Sequence, residues 1–123
     1  HIAGFGMGAE LDTKTRPGLE YNRHITGYCI GTKPLKEAIL IRNGKLFHTL
    51  KIKDGIVEFE IDDLEMLGQV ALEPKEDRPP FAYYYLRVVQ EDGHIAWSSP
   101  IWVDLSSRSA PLSTGKKVKK KVM

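Results

Sequence analysis

The segment Phe81–Val103, FAYYYLRVVQEDGHIAWSSPIWV, constrains this chain more than any other, because it reads as one β-hairpin with two unlike faces. Asp92-Gly93 is a two-residue type I′ turn signal. Both central positions of such a turn take φ > 0, which glycine adopts freely and aspartate tolerates. The turn would set Glu91 opposite His94, and successive pairs would then alternate between the two faces. One face collects Val88/Trp97, Leu86/Ser99, Tyr84/Ile101 and Ala82/Val103 and is expected in the core. The other collects Val89/Ala96, Arg87/Ser98, Tyr85/Pro100 and Tyr83/Trp102, a surface richer in aromatic rings than a fully solvated face usually is.

The rest of the chain is built from pieces of the same kind. His1 to about Leu11 reads as an edge strand interrupted by Gly4, Gly6 and Gly8, and Arg16-Pro17-Gly18 as a turn. Tyr21 to Thr32 reads as a strand with Ile25 and Cys29 on one side and Thr26, Tyr28 and Ile30 on the other. Asn43-Gly44 is the strongest short hairpin signal there is. It pairs Arg42/Lys45, Ile41/Leu46, Leu40/Phe47 and Ile39/His48, and both of its faces are apolar. Either a bulge shifts that register or a partner covers the outer face, in which case Leu40 and Phe47 join the interface candidates. Gly55 to Asp62 alternates cleanly, with Val57, Phe59 and Ile61 inward. Asp62 to Leu67 is expected to form one helical turn stopped by Gly68, and Pro74 to Pro80 is a proline-rich connector.

About seven strands in roughly a hundred residues, with turns every 8 to 12, predict an all-β antiparallel sandwich of immunoglobulin-like or fibronectin type III-like form. Tyr83 or Tyr84, at the start of the penultimate strand, suits the tyrosine-corner position of such folds. The expected domain spans 1–104 and a basic tail spans 105–123. A chain of 123 residues supports one core, and no apolar run approaches the roughly 18 residues of a membrane helix. The chain opens at His1 already inside an apolar segment, HIAGF, so it is expected to be part of a longer protein.

The net charge of +2 hides an asymmetry, since Arg108, Lys116, Lys117, Lys119, Lys120 and Lys121 are all in the tail and leave the body mildly acidic. A short Ser/Pro/Gly/Lys segment buries too little to offset its ordering entropy, so disorder is expected. Attraction to nucleic acid or anionic lipid is weighed against a plain solvated terminus. With no aromatic residue interleaved to stack on bases, the solvated terminus is preferred and nucleic acid disfavoured. The single cysteine, Cys29, forms no internal disulfide and fits a reducing compartment, but equally a domain that needs no staple.

Reactive constellations are missing from the pattern. Gly4 to Ala9 matches a loosened G-x-G-x-x-A fingerprint, yet no helix follows to carry a pyrophosphate. His24, His48 and His94 have no metal-ligand spacing. Cys29 reads as a small packing residue, and Ser98 and Ser99 do not lie on a nucleophile elbow. The expectation is therefore no catalytic residue, metal or cofactor in this chain. Tyr83 opposite Trp102, with Tyr85 and Arg87 on the same outward face, is the constellation that remains. It is either a set of stabilising cross-strand pairs, a docking face within a longer polypeptide, or a platform for sugars.

Three segments, YYYLRVVQEDGHIAWSSPIWV, RPGLEYNRHITGYCIGT and ILIRNGKLFHT, resemble the C-terminal β-rich region of uncharacterised bacterial proteins related to the PHP (polymerase and histidinol phosphatase) metallohydrolases. The likeness rests on Tyr84-Tyr85-Leu86-Arg87-Val88, Asp92-Gly93 and Ala96 to Trp102. It implies a preceding catalytic domain that carries the metal ligands, and no ligand falls on any residue here. The resulting expectation is a non-catalytic accessory domain that packs on that catalytic domain or aids homo-oligomer assembly. The rival is a carbohydrate-binding module.

Overall fold

The computed structural model describes residues 1–2, 4–73 and 79–106. The strands are β1 (Glu10–Asp12), β2 (Arg23–Ile30), β3 (Leu35–Arg42), β4 (Lys45–Thr49), β5 (Ile52–Lys53), β6 (Ile56–Asp63), β7 (Phe81–Gln90), β8 (Ile95–Trp97) and β9 (Ile101–Asp104). A 3₁₀ turn covers Pro17–Glu20, and a single helical turn, α1, covers Leu67–Val70. One sheet has the order β1-β9-β7-β3-β4, with β8 also on β7, and the other the order β2-β6-β5. Pairing is antiparallel except for β1 along β9. The expected all-β sandwich is what forms.

Its core follows the alternation. β7 sends Ala82, Tyr84 and Val88 inward to meet Leu40 and Ala38 of β3, Ile101 and Val103 of β9, and Ile25 and Val57 of the facing sheet. Ile2, fully buried, bridges Ile25 from outside the named strands. On β6 the expected inward row, Val57, Phe59 and Ile61, continues to a fourth inward residue, the buried Asp63.

Turn chemistry explains where the registers go. Asn43 and Gly44 both take positive φ (56° and 81°), as a type I′ turn requires. A bulge then falls between Leu40 and Ile41, so Leu40 pairs with His48 and Ile39 with Thr49, rather than with Phe47 and His48. Phe47 is the extra residue, and the doubly apolar hairpin is thereby explained by a bulge. Asp54-Gly55, not singled out from the sequence, is also a turn with positive φ at both positions (54° and 73°).

The third such dipeptide corrects the sequence reading. At Asp92-Gly93 only the glycine has positive φ, 93°. The Gly93 amide donates to the Gln90 carbonyl at 2.9 Å and the Gln90 amide to the His94 carbonyl at 2.8 Å. This is a three-residue loop with a glycine bulge, and it shifts the register by one. β7 and β8 therefore pair Val89 with Ile95, Val88 with Ala96 and Arg87 with Trp97. Trp97, expected in the core, is 61% exposed. The shift is undone across Ser98–Pro100, where Pro100 has no N–H to donate and the Ser98 hydroxyl oxygen accepts the Leu86 amide at 2.8 Å. Beyond it the expected pairs return: Tyr84 with Ile101, Tyr83 with Trp102 and Ala82 with Val103.

Two smaller corrections concern the edges. The helical turn begins at Leu67 instead of ending there, with Gly68 inside it rather than stopping it, because Asp63 completes β6 and its carboxylate accepts the Glu65 amide at 3.1 Å. Leu105 and Ser106, assigned to the tail from the sequence, are tied to the body: Leu105 packs on the core and the Ser106 amide donates to Thr13 Oγ1 at 2.9 Å. The remainder of the lysine-rich tail, and most of the proline-rich connector, lie outside the described residues.

Candidate functional site

Where β2 begins beside the end of β6, Arg23 faces Asp63, and where β3 ends beside β7, Arg42 faces Tyr84. These two cross-strand pairs, one from each sheet, meet in the interior. The Tyr84 hydroxyl donates to Asp63 Oδ2 at 2.6 Å and accepts from Arg23 Nε at 3.1 Å. Arg23 also reaches Asp63 Oδ2 (3.1 Å) and the carbonyls of Leu19, Glu20 and Glu65 (2.9, 3.3 and 2.6 Å). Four donated hydrogen bonds and the ion pair thus give each of the three guanidinium nitrogens a partner, which is what makes burying this charge tolerable. Arg42 closes the cluster with 3.0 Å to Asp63 and 2.7 Å to Glu65, its guanidinium lying over the Phe47 ring.

Burial alone would raise the Asp63 carboxyl, but hydrogen bonds from Tyr84 and Arg42 and the charge of Arg23 outweigh it, so its pKa lies below the usual carboxylate range. Burial pushes the Tyr84 phenol far above its ordinary value. Both groups keep their charge state across the neutral range, and the cluster pins one sheet to the other. Tyr84 bonds to a side chain of the other sheet rather than to nearby backbone, so it does not make the expected tyrosine corner.

On the outer face of the larger sheet, Tyr83 and Trp102 pack with centroids 4.9 Å apart at 33°. Tyr85 continues the row, nearly parallel to Tyr83 at 8° and 6.2 Å, and Phe81 lies 5.3 Å from Trp102 at its other end. Arg87 turns away from the rings to Glu37 at 3.0 Å. Tyr83, Tyr85 and Trp102 are therefore brought together, while Arg87 is engaged across β3. Leu40 is 2% exposed and belongs to the inner face; Phe47 is half-buried under Arg42.

A feature the sequence did not reveal is a cleft between the sheets, of about 1240 Å³, opening where β2 and β8 form neighbouring edges. Its walls are mostly apolar: Ile25, Cys29 and Phe59 on one side, Leu40, Leu86 and Val88 on the other. The exposed side chains of Met7, Tyr28 and Trp97 stand at its rim. Phe59 lies across Gly27, its cross-strand partner, so closely that a Cβ at Gly27 would fall against the ring. Exposed apolar alternation on β2 and β8 was the available signal, and the misplaced register of Trp97 concealed it.

Among the described residues no group of three or more His, Cys, Asp or Glu could hold a metal ion. His24 pairs with Asp62 at 2.7 Å and His94 with Asp92 at 3.0 Å, both at the surface. No helix among the described residues is long and apolar enough to cross a membrane. What the arrangement offers is recognition surface: an apolar cleft between the β2 and β8 edges and a row of stacked rings.

Fold and site together define a two-sheet β-sandwich module with an open apolar cleft. No protein-family model and no solved structure matches it. It is similar to uncharacterised proteins of Chlamydia: 49% identical over 105 residues to one from Chlamydia trachomatis serovar D, 46% over 106 to one from Chlamydia pneumoniae, and 49% over 105 to one from Chlamydia muridarum. Each likeness covers 85 or 86% of this chain but only 17% of the relative, so the chain spans about a sixth of the proteins it matches.

Proposed function

We propose that this chain is a non-catalytic accessory module of a longer protein, an immunoglobulin-like sandwich that packs on a PHP-related metal-dependent hydrolase domain or supports its assembly. The observation that carries the interaction role is the open inter-sheet cleft, whose apolar walls and exposed Tyr28 and Trp97 suit burial against protein. The length of the Chlamydia relatives supports a module in a larger polypeptide. The strand order supports the immunoglobulin-like form: β2-β6-β5 against β9-β7-β3-β4, with β1 along β9, matches that sandwich with its first strand divided between the sheets. The hydrolase context rests on the resemblance in Tyr84–Val88 and Ala96–Trp102.

The test is to remove this module from the longer protein and to add it back in trans. Association, with a lowered melting temperature of the truncated remainder, is expected. No association together with unchanged stability would end the reading, as would metal-dependent phosphatase turnover by the module alone.

A second reading, carbohydrate binding, is favoured by the parallel stacking of Tyr83 on Tyr85 beside Trp102. A Trp97→Phe variant leaves Trp102 as the remaining indole. Its fluorescence responds to added oligosaccharide under this reading and stays constant under the first.

A further inference from the structure

We propose that the outer face formed by β1, β9 and the start of β7 is a cation-binding surface, and that its occupant is the lysine-rich segment Lys116–Lys121 of the same chain. The three strands set rings and carboxylates side by side. Glu10 pairs with Trp102 and Trp102 with Tyr83 in one row; Asp12 pairs with Asp104 and Asp104 with Phe81 in the next. Cross-strand partners share a face, as do residues two apart on a strand. Leu11, Val103 and Ala82, the residues between, are buried on the opposite side, so all six side chains lie on the outer face. Trp102 packs 4.9 Å from Tyr83 and 5.3 Å from Phe81, and Asp12 Oδ1 is held in place by the Thr15 amide and hydroxyl at 2.8 and 3.0 Å. Such an array draws an ammonium twice over, through the carboxylates and through the ring faces.

Charge and position select the occupant. The Ser106 amide donates to Thr13 Oγ1 at 2.9 Å, so the chain leaves the body beside Asp12 and Asp104. Beyond it come Arg108 and then Lys116, Lys117, Lys119, Lys120 and Lys121 with no acid among them, while the rest of the chain is mildly acidic. Lys116 follows Ser106 by ten residues. That length reaches up to about 33–36 Å. The face extends roughly 13 Å along the strands from Asp12 to the level of Tyr85 and about 10 Å across them, so the lysines can turn back onto it. Tethering also places them there at an effective concentration in the millimolar range. Glu58 and Glu60 present comparable charge on the outer face of the other sheet, but with one ring, Tyr28, beside them. The inference goes beyond the accessory-module reading and does not depend on it.

Carbodiimide cross-linking of the full chain, read by mass spectrometry, tests this without any variant. Amides within one chain from the five lysines to Glu10 and Asp12 are expected at least about fivefold more often than to Glu58 and Glu60, and are expected to disappear in about 1 M salt, where the screening length falls to about 3 Å. Equal yields on the two faces, or none at Glu10, overturn the proposal. Links between separate chains overturn it as well, and assign the face to the lysines of a second copy. Trp102 gives an independent reading in the full chain carrying Trp97→Phe. Its quenching by acrylamide should rise at least about twofold from low to high salt as the lysines leave the rings. With Lys116→Gln, Lys117→Gln, Lys119→Gln, Lys120→Gln and Lys121→Gln added together, quenching should be high at every salt concentration. Salt-independent quenching with the lysines present overturns the proposal.

Discussion

Arg23 and Asp63, opposite one another on β2 and β6, form a 3.1 Å ion pair with 0% and 1% side-chain exposure, and the Tyr84 hydroxyl of the other sheet bonds to both. The contact therefore joins the sheets at one end of the sandwich while the cleft opens towards β8. Breaking a buried pair by removing one partner leaves an uncompensated charge, so Asp63→Ala should destabilise by about 3–5 kcal/mol. Tyr84→Phe, which removes one bridging hydroxyl, should cost about 1–3 kcal/mol. Denaturant unfolding of the two variants checks the order.

The same carboxylate sets an acid limit. Its folded pKa lies below the unfolded value of about 3.9, so the unfolded state binds the proton first as pH falls. The stabilising contribution is complete above the unfolded value and is lost as pH falls through the folded one. Melting temperature should therefore drop from about pH 5 towards about pH 2, and Asp63→Asn should be less stable at neutral pH with a shallower acid decline. An equally steep decline in the variant would assign the acid limit to other groups.

Gly27 has no room for a side chain because the Phe59 ring covers it. Gly27→Ala should cost about 1–3 kcal/mol by forcing the ring aside. Combining it with Phe59→Leu should cost less than the sum of the single changes, a coupling read by a double-mutant cycle.

Trp97 and Ile101 are separated by the Ser98–Pro100 break and differ sharply in burial, at 61% and 6% exposed. Trp97→Ala should change stability by no more than about 0.5 kcal/mol, and Ile101→Ala should cost about 2–5 kcal/mol. Acrylamide should quench Trp97 far more readily than Trp102 in single-tryptophan variants.

Asn43 does more than turn the chain. Its side chain accepts the Tyr83 amide at 3.0 Å and donates to the Val70 carbonyl at 2.7 Å. Asn43→Gly preserves the positive φ yet should cost about 1–3 kcal/mol through those two bonds. Asp54→Gly, at an exposed turn of the same type, should fall within about 0.5 kcal/mol in thermal unfolding.

Alternation was legible in the sequence because a strand's period of two is local: the inward rows of β6 and β7, the Asn43-Gly44 turn and the opposition of Tyr83 to Trp102 needed no knowledge of neighbours. The registers around Asp92-Gly93 and Phe47 were not, since one inserted residue reverses every side chain beyond it and the choice between loop types is made by the ladder the loop must join. Nor could the pattern show that Arg23, Arg42, Asp63 and Tyr84 converge, or that β2 and β8 leave a cleft between them. Those contacts join strands distant in the chain, and only the stacking of one sheet on the other decides which polar ends are buried together and which edges stay apart.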